Sequence, residues 1–220
     1  MELFAWIPEL LHWFIDVVLH LDRHLVELLG QFGPWVYAIL FLIVFAETGF
    51  VVTPILPGDS LLFAAGALSA VDTSGTLKAP VLSLVLIVAA IGGNTLNYSI
   101  GRAIGPRAFT GRVRFLKVEY LRRTQGFFDR YGGMTIVMSR FVPIVRTFAP
   151  FVAGIGQMPY GRFQLWNVIG GVSWVMLFIW GGYLFGNIPA IKNHFGIVTI
   201  VIIVVSVLPG VIAFFRRGKG

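Results

Sequence analysis

The chain contains no cysteine among its 220 residues, so disulfide bonds, thiolate catalysis and thiolate metal sites are all excluded. Charge is scarce as well, because only 12% of the residues are charged whereas 57% are hydrophobic, and the mean hydropathy is +0.84. A soluble globule of this size needs more polar surface than such a composition supplies. The composition therefore predicts an integral membrane protein.

Histidine is the next scarce residue type, with 4 in the whole chain. Three of them have helical spacing near the N-terminus, at positions 12, 20 and 24, as a metal site on one helix face would require. Charged side chains interleave with them, however, and a solvated helix face is the plainer interpretation. We therefore expect neither a metal ion nor any other cofactor.

Long apolar stretches predict an all-α, polytopic membrane domain over residues 1–220. A bilayer core requires about 20 apolar residues in a helix. Three uncharged stretches are long enough to cross it: residues 80–101, 163–186 and 195–215. Residues 1–30 instead place apolar positions at helical spacing among charged ones, which predicts an amphipathic N-terminal helix.

The positive charge is concentrated in a predicted link between spans, residues 102–131. Eight Arg and Lys residues there oppose only Glu119 and Asp129, and such basic links favour the cytoplasmic side of a membrane. The link carries no recognisable base-reading module, so we expect no nucleic-acid partner. Membrane lipids with anionic headgroups are the expected partners of these basic side chains.

Two further apolar stretches are interrupted by prolines and carry two charges each. The charges are Glu47 and Asp59 in residues 33–70, and Arg140 and Arg146 in residues 132–160. A charge at bilayer depth costs roughly 2.5 to 3.5 kcal/mol, so each is a candidate functional residue. Broken backbone at that depth requires protein or a wet cavity around it. Both stretches therefore predict re-entrant or broken helical hairpins, with breaks at Pro54, Pro57, Gly58, Pro143 and Pro150.

The two predicted hairpins have a similar organisation along the chain. The first ends in the small-residue run Ala64–Gly66 and the second in Val152–Gly154, and each is followed by a predicted span. This order suggests an internal duplication. An inverted repeat would place the hairpins opposite each other near the bilayer midplane, where transporters bind their substrates.

The two arginines suit a phosphate group, because a guanidinium stays protonated and its planar fork can bond two phosphate oxygens. Arg140 and Arg146 are therefore the candidate headgroup ligands. Six residues apart on an unbroken helix they would face different directions, whereas a break at Pro143 would bring both into one cavity. The alternative is structural: the arginines cap the hairpin ends, or pair with Glu47 and Asp59 to hold the hairpins together.

The two carboxylates suit proton coupling, because burial raises the pKa of a carboxyl group and a neighbouring arginine lowers it. Glu47 and Asp59 are the candidates for this role. Asp59 has an equally good structural interpretation as a helix N-cap. Late in the first uncharged span, the polar residues Asn94, Asn97 and Tyr98 are candidates for lining the cavity or for hydrogen bonding between helices.

At these motifs the chain resembles the DedA family of bacterial inner-membrane proteins, which is related to the eukaryotic VTT-domain lipid scramblases. The resemblance is carried by Glu47 ahead of the PGDS turn at 57–60, by NYSIGR at 97–102, by RFVPIVRTFAPFVAG at 140–154 and by GYLFG at 182–186. It implies a multi-pass protein of the bacterial inner membrane that transports or flips phospholipids or polyprenyl phosphates such as undecaprenyl phosphate. It also implies a link to the proton-motive force. The implied functional residues match Glu47, Asp59, Arg140 and Arg146, whereas Asn94 stands where close relatives carry Asp.

Transport competes with three other classes of function. A lipid phosphatase would need a nucleophile and an acid or base, commonly histidine; neither hairpin contains histidine, and cysteine is absent. We therefore expect the protein not to be an enzyme. A proton-coupled ion or drug antiporter, and a structural membrane-homeostasis protein, both remain compatible with the sequence, as does a homo-oligomer.

Overall fold

The structure, a computed structural model, describes residues 16, 21–50, 58–108, 132–186, 188–192, 197–198, 200–202 and 204. Every regular element in these ranges is helical and none is a strand, which confirms the predicted all-α class. Three described segments are long and apolar enough to cross a membrane: Arg23–Gly49, Ala79–Gly105 and Tyr160–Phe185. Two shorter apolar helices, Gly58–Val71 and Val145–Ile155, accompany them.

The helices are numbered here along the chain. They are α1 (Leu21–Phe32), α2 (Val36–Gly49), α3 (Gly58–Val71), α4 (Ala79–Ala108), α5 (Met134–Ser139), α6 (Pro143–Ile155), α7 (Tyr160–Phe185) and α8 (Pro189–Lys192). Several predictions fall outside the described residues: most of the amphipathic helix 1–30, the breaks at Pro54 and Pro57, the link from residue 109 onward, and most of the span 195–215.

The first membrane-crossing candidate was not among the three predicted spans. The sequence prediction began a hairpin at residue 33, but α1 and α2 are joined there only by a 3-10 turn, Gly33–Trp35. Gly33 has a φ of +50°, a conformation that glycine adopts at little cost. Pro34 stands at the start of the turn, where its missing N–H is not required. Glu47 consequently lies near the end of a long helical segment.

The described helices form two compact units. The first unit contains α1, the start of α2, α3, the start of α4, the end of α7 from Met176, and α8. The second unit contains the rest of α2 and α4, the α5–α6 hairpin, and α7 up to Val175.

In the first unit, Asp72 organises the loop between α3 and α4. Its carboxylate accepts hydrogen bonds from the backbone N–H of Leu77 at 2.7 Å and from the Ser74 hydroxyl at 2.6 Å. These bonds hold the pKa of Asp72 below its ordinary value. The Tyr37 hydroxyl donates to the carbonyl of Thr76 at 3.0 Å. The loop is thereby tied to α2, which fixes where α4 begins.

The first unit also contains a close approach between the backbones of α3 and α7. A Cβ atom at Gly66 would run into the carbonyl oxygen of Ile179, and one at Gly182 would run into the carbonyl oxygen of Phe63. Small residues allow helices in a membrane to approach at backbone distance. The contact is reciprocal. Gly66 stands three residues after Phe63, whose carbonyl oxygen faces Gly182. Gly182 stands three residues after Ile179, whose carbonyl oxygen faces Gly66.

The second unit repeats this contact with different helices. A Cβ atom at Gly101 of α4 would meet the carbonyl oxygen of Phe151, and one at Gly154 of α6 would meet that of Tyr98. The spacing of three residues is the same on both sides. The hairpin helices α3 and α6 thus each pack on a long helix through one reciprocal pair of glycines, an internal similarity that extends the one seen in the sequence.

We expect Gly154→Ala to lower the free energy of unfolding by about 1–3 kcal/mol, because the added methyl group forces two packed backbones apart. The matched control is Gly161→Ala, since a Cβ atom at Gly161 would meet nothing within 4 Å. The measurement is the unfolding of both variants in the same micelles, followed by tryptophan fluorescence. Equal stability of the two variants would contradict the close contact.

Candidate functional site

The break between α5 and α6 positions both arginines of the second hairpin. Helix α5 ends at Ser139, Val142 is extended with φ −124° and ψ 105°, and α6 begins at Pro143. A residue before proline is pushed into this extended region by the proline ring. Arg140 and Arg146 therefore lie on opposite sides of the break, and both line one space within the second unit.

Pro150, in contrast, does not break the hairpin as predicted from the sequence. It lies inside α6, which continues to Ile155. A proline in a helix removes one backbone hydrogen bond, here the bond from residue 150 to the carbonyl of Arg146. Packing of α6 on α4 through Gly154 keeps the helix continuous despite that loss. Of the other predicted breaks, Gly58 is the first residue of α3.

Arg146 forms a buried ion pair with Glu47, which joins α6 to the end of α2. The side chain of Glu47 is fully buried and that of Arg146 is 5% exposed. The guanidinium carbon of Arg146 also lies 5.5 Å from the centroid of the Trp174 ring, within the range of a cation–π contact. Because the pair is a buried salt bridge, removing either partner is expected to lower the free energy of unfolding strongly.

Asn97 of α4 ties together the two segments that carry this ion pair. Its side-chain amide donates to the backbone carbonyl of Thr48 at 3.3 Å and to that of Thr147 at 2.7 Å. These two residues directly follow Glu47 and Arg146 in the sequence. Asn97 is fully buried, and its Oδ1 has no hydrogen-bond partner among the described residues. The predicted polar residue thus positions the ion pair.

Arg140 is held by neutral groups of α4 and α7. Its Nη2 donates to Asn167 Oδ1 at 2.6 Å, to the backbone carbonyl of Ala90 at 3.3 Å and to that of Asn167 at 3.4 Å. Gly170 and Gly171 leave room for the Arg140 side chain, because a Cβ atom at either would lie 3.1–3.3 Å from the atoms of that side chain. Arg140 is 2% exposed, and no carboxylate contacts it in the part of the chain that the structure describes.

The two arginines share their space with three other side chains: Thr48, Asn94 and Trp174. As far as the described residues enclose it, this space has no room for a water molecule. Its lining combines two guanidinium groups, an amide, a hydroxyl and an apolar indole wall. The Thr48 hydroxyl already donates to the carbonyl of Val44 at 2.8 Å, whereas the guanidinium and amide donors match the oxygens of a tetrahedral oxyanion.

Two predicted site residues remain, Tyr98 and Asp59. Tyr98 does not line this space; it packs in an apolar cluster, with its ring centroid 4.2 Å from that of Phe163, and donates to the carbonyl of Met158. Asp59 belongs to the first unit, where it lies in the first turn of α3 and is 4% exposed. A carboxylate in that turn interacts favourably with the helix dipole.

Sequence reasoning missed the residues that hold Arg140. Asn167 makes its closest contact, and Gln164 and Thr95 bond Asn167 in turn. The available signal was an amide in an otherwise apolar span, with polar residues at positions 160, 164 and 167 on one helix face.

Comparisons with known proteins give consistent matches. The family model of the VTT domain matches residues 56–184 of this chain. The Escherichia coli protein DedA is 50% identical over 212 residues, which cover 96% of each chain. An uncharacterised membrane protein of Mycobacterium tuberculosis is 39% identical over 188 residues, covering 85% of this chain and 82% of that protein. The inner membrane protein YghB of Escherichia coli is 34% identical over 183 residues, covering 83% and 79%. No solved structure matches.

Proposed function

Because this chain belongs to the DedA family of membrane proteins and contains its VTT domain, we propose that it moves a phosphate-bearing lipid across the cytoplasmic membrane. The chain is a multi-pass protein with three membrane-crossing candidates among its described helices. Its relatives include an inner membrane protein, in agreement with the predicted localisation. The lipid classes in question are polyprenyl phosphates and phospholipids.

The observation that carries this proposal is the environment of Arg140. It is a buried cation whose described partners are a side-chain amide and two backbone carbonyls, all neutral. A buried charge without a counter-charge is costly: removing one partner of a buried ion pair destabilises a protein by roughly 3–5 kcal/mol. A phosphate anion would supply that counter-charge and would satisfy the guanidinium fork, and the lining side chains must move apart to admit it. Asn94 and Arg146 line the same space and add further donors.

The ion pair between Glu47 and Arg146 supports a link to protons. An arriving phosphate competes with the Glu47 carboxylate for the Arg146 guanidinium. A carboxylate displaced from its arginine in a buried site takes up a proton more readily. In this mechanism Glu47 is protonated while the headgroup is bound, and releases the proton when the headgroup leaves. Asp59 is proposed as a second proton carrier on the resemblance alone.

We propose transport without hydrolysis. The chain has no cysteine, and residues 33–70 and 132–160 contain no histidine to act as nucleophile or general acid. The expected result is that purified protein releases no inorganic phosphate from polyprenyl phosphate or phosphatidic acid. Release above background would contradict this part of the proposal.

The proposal is tested by lipid translocation in proteoliposomes, with a fluorescent polyprenyl phosphate and a fluorescent phosphatidylethanolamine in parallel. We expect the wild-type protein to move one of them and Arg146→Lys to lose most of this activity, because lysine lacks the planar fork. Arg162→Lys is the matched control, since Arg162 is exposed in the first turn of α7. No movement of either lipid by wild-type protein, or full activity of Arg146→Lys, would contradict the proposal.

A further inference from the structure

A row of hydrogen-bonded polar side chains leads along α7 to Arg140. Gln164 Nε2 donates to the Tyr160 hydroxyl at 3.2 Å, Asn167 Nδ2 donates to Gln164 Oε1 at 2.8 Å, and Arg140 Nη2 donates to Asn167 Oδ1 at 2.6 Å. Thr95 of α4 borders the row, with its hydroxyl 3.1 Å from Gln164 Oε1. We name these five residues the polar track.

The polar track connects the surface of the second unit with its interior. Tyr160, the first residue of α7, is 47% exposed, whereas Arg140 is 2% exposed. From Tyr160 to Asn167 an α-helix rises by about 10 Å. The same face of α7 continues to Gly171, which presents no side chain beside the guanidinium. The hydrogen bonds of the track therefore run unbroken from Tyr160 to the buried arginine.

Helix packing accounts for only part of the track. The bonds from Asn167 to Gln164 and from Gln164 to Tyr160 lie within α7 and hold no other helix. Contact with α4 is made by Asn167, whose Nδ2 donates to the carbonyl of Ile91 at 3.1 Å and to the Thr95 hydroxyl at 3.2 Å, and by Gln164, whose Oε1 accepts from that hydroxyl at 3.1 Å. Polar side chains in an apolar helix cost free energy unless they have a partner or a function.

The direction of the bonds favours an anion. Each donor in the row points from the buried end toward the exposed end, so the Tyr160 hydroxyl keeps its own hydrogen for a further acceptor. Chains of hydrogen bonds polarise one another, and this chain starts at a cation. An anionic oxygen arriving at Tyr160 meets a donor there, and then amide and guanidinium donors further along.

We propose that the polar track is the route by which a phosphate headgroup moves between the membrane surface and Arg140. This inference rests on the proposed function and adds the path and its residues to it. The acyl or prenyl chain stays in the bilayer while the headgroup exchanges one donor for the next. Gln164 and Thr95 are thus positioning residues for the headgroup.

The cysteine-free chain allows a direct test by single-cysteine labelling in liposomes. Gln164→Cys and Leu165→Cys are compared with an anionic methanethiosulfonate, which reacts with thiolates. Leu165 is 58% exposed and adjacent in sequence, so exposure alone would make it the faster site. We expect Gln164→Cys to react about tenfold faster or more, because a thiolate is disfavoured on a lipid-facing surface. An equal or faster reaction at residue 165 would overturn the proposal.

Protection identifies what travels along the track. We expect dihexanoyl phosphatidic acid to slow labelling of Gln164→Cys at least severalfold, and inorganic phosphate to leave it unchanged. Equal protection by both would show that the track accepts a free anion rather than a lipid headgroup, and would overturn the proposal. Protection by neither compound would also overturn it. These readouts do not require translocation, so a wild-type protein that moves no lipid would count against the proposed function separately.

A second pair of variants keeps the proposal falsifiable if a cysteine disturbs folding. Gln164→Leu and Thr95→Val are expected to slow lipid translocation severalfold while their melting temperatures stay at or above that of the wild type. Ser173→Ala is the control on the same helix, because Ser173 is exposed and bonds only the carbonyl of Ile169 among the described residues. Lower melting temperatures with unchanged translocation by the folded protein would assign the track to packing and overturn the proposal.

Discussion

Glu47→Gln is expected to lower the free energy of unfolding by about 3–5 kcal/mol, because it removes the negative charge of Glu47 from the buried guanidinium of Arg146. The loss is large because both side chains are at least 95% buried, so water cannot replace the missing charge. Gln keeps the shape of Glu, and the change is therefore one of charge alone.

A double-mutant cycle isolates the pair from its surroundings. Arg146→Met alone is expected to cost a similar amount, whereas Glu47→Gln with Arg146→Met should cost less than the sum of the two. The coupling expected for contacting residues is about 0.5–3 kcal/mol. The measurement is unfolding in mixed micelles at pH 8. Glu27→Gln, at an exposed glutamate of α1, is the control; additive costs would contradict a direct ion pair.

Asn167→Asp is expected to preserve the fold and abolish translocation. Asp keeps an oxygen at the position 2.6 Å from Arg140 Nη2, so the anchor of the guanidinium remains. It also places a negative charge where the proposed function requires a phosphate. Two like charges about 5 Å apart repel by ~3 kcal/mol at an effective dielectric constant of 20. At 1.4 kcal/mol per factor of ten, anion binding falls about a hundredfold.

Comparison with Asn167→Ala separates the charge from the anchor. Ala removes the acceptor of Arg140 and adds no charge, so its melting temperature is expected to fall below that of Asn167→Asp. Translocation and melting temperature of the wild type and both variants are measured in the same preparations. Wild-type translocation by Asn167→Asp would show that Arg140 needs no external anion and would contradict its role as headgroup ligand.

The sequence predicted the four buried charges and the helical class because charge and apolar length are properties of single segments. It also predicted that a break at Pro143 would bring Arg140 and Arg146 to one space. It left the ion pair of Glu47 open, since the partner is 99 positions away and no local pattern selects it. Tertiary packing also decides one error, because Pro150 stays within a helix, and it selects packing on Phe163 for Tyr98.

The reciprocal contact of Gly66 with Gly182 determines when the first unit can be completed during biosynthesis. Helix α3 has 14 residues, about 21 Å, and is shorter than the ~30 Å hydrocarbon core. Its helical partner at Gly182 is translated long after α3 itself. The second unit has both of its glycines, 101 and 154, available earlier. Both glycines of the second unit are therefore translated before Gly182, the residue that packs on α3.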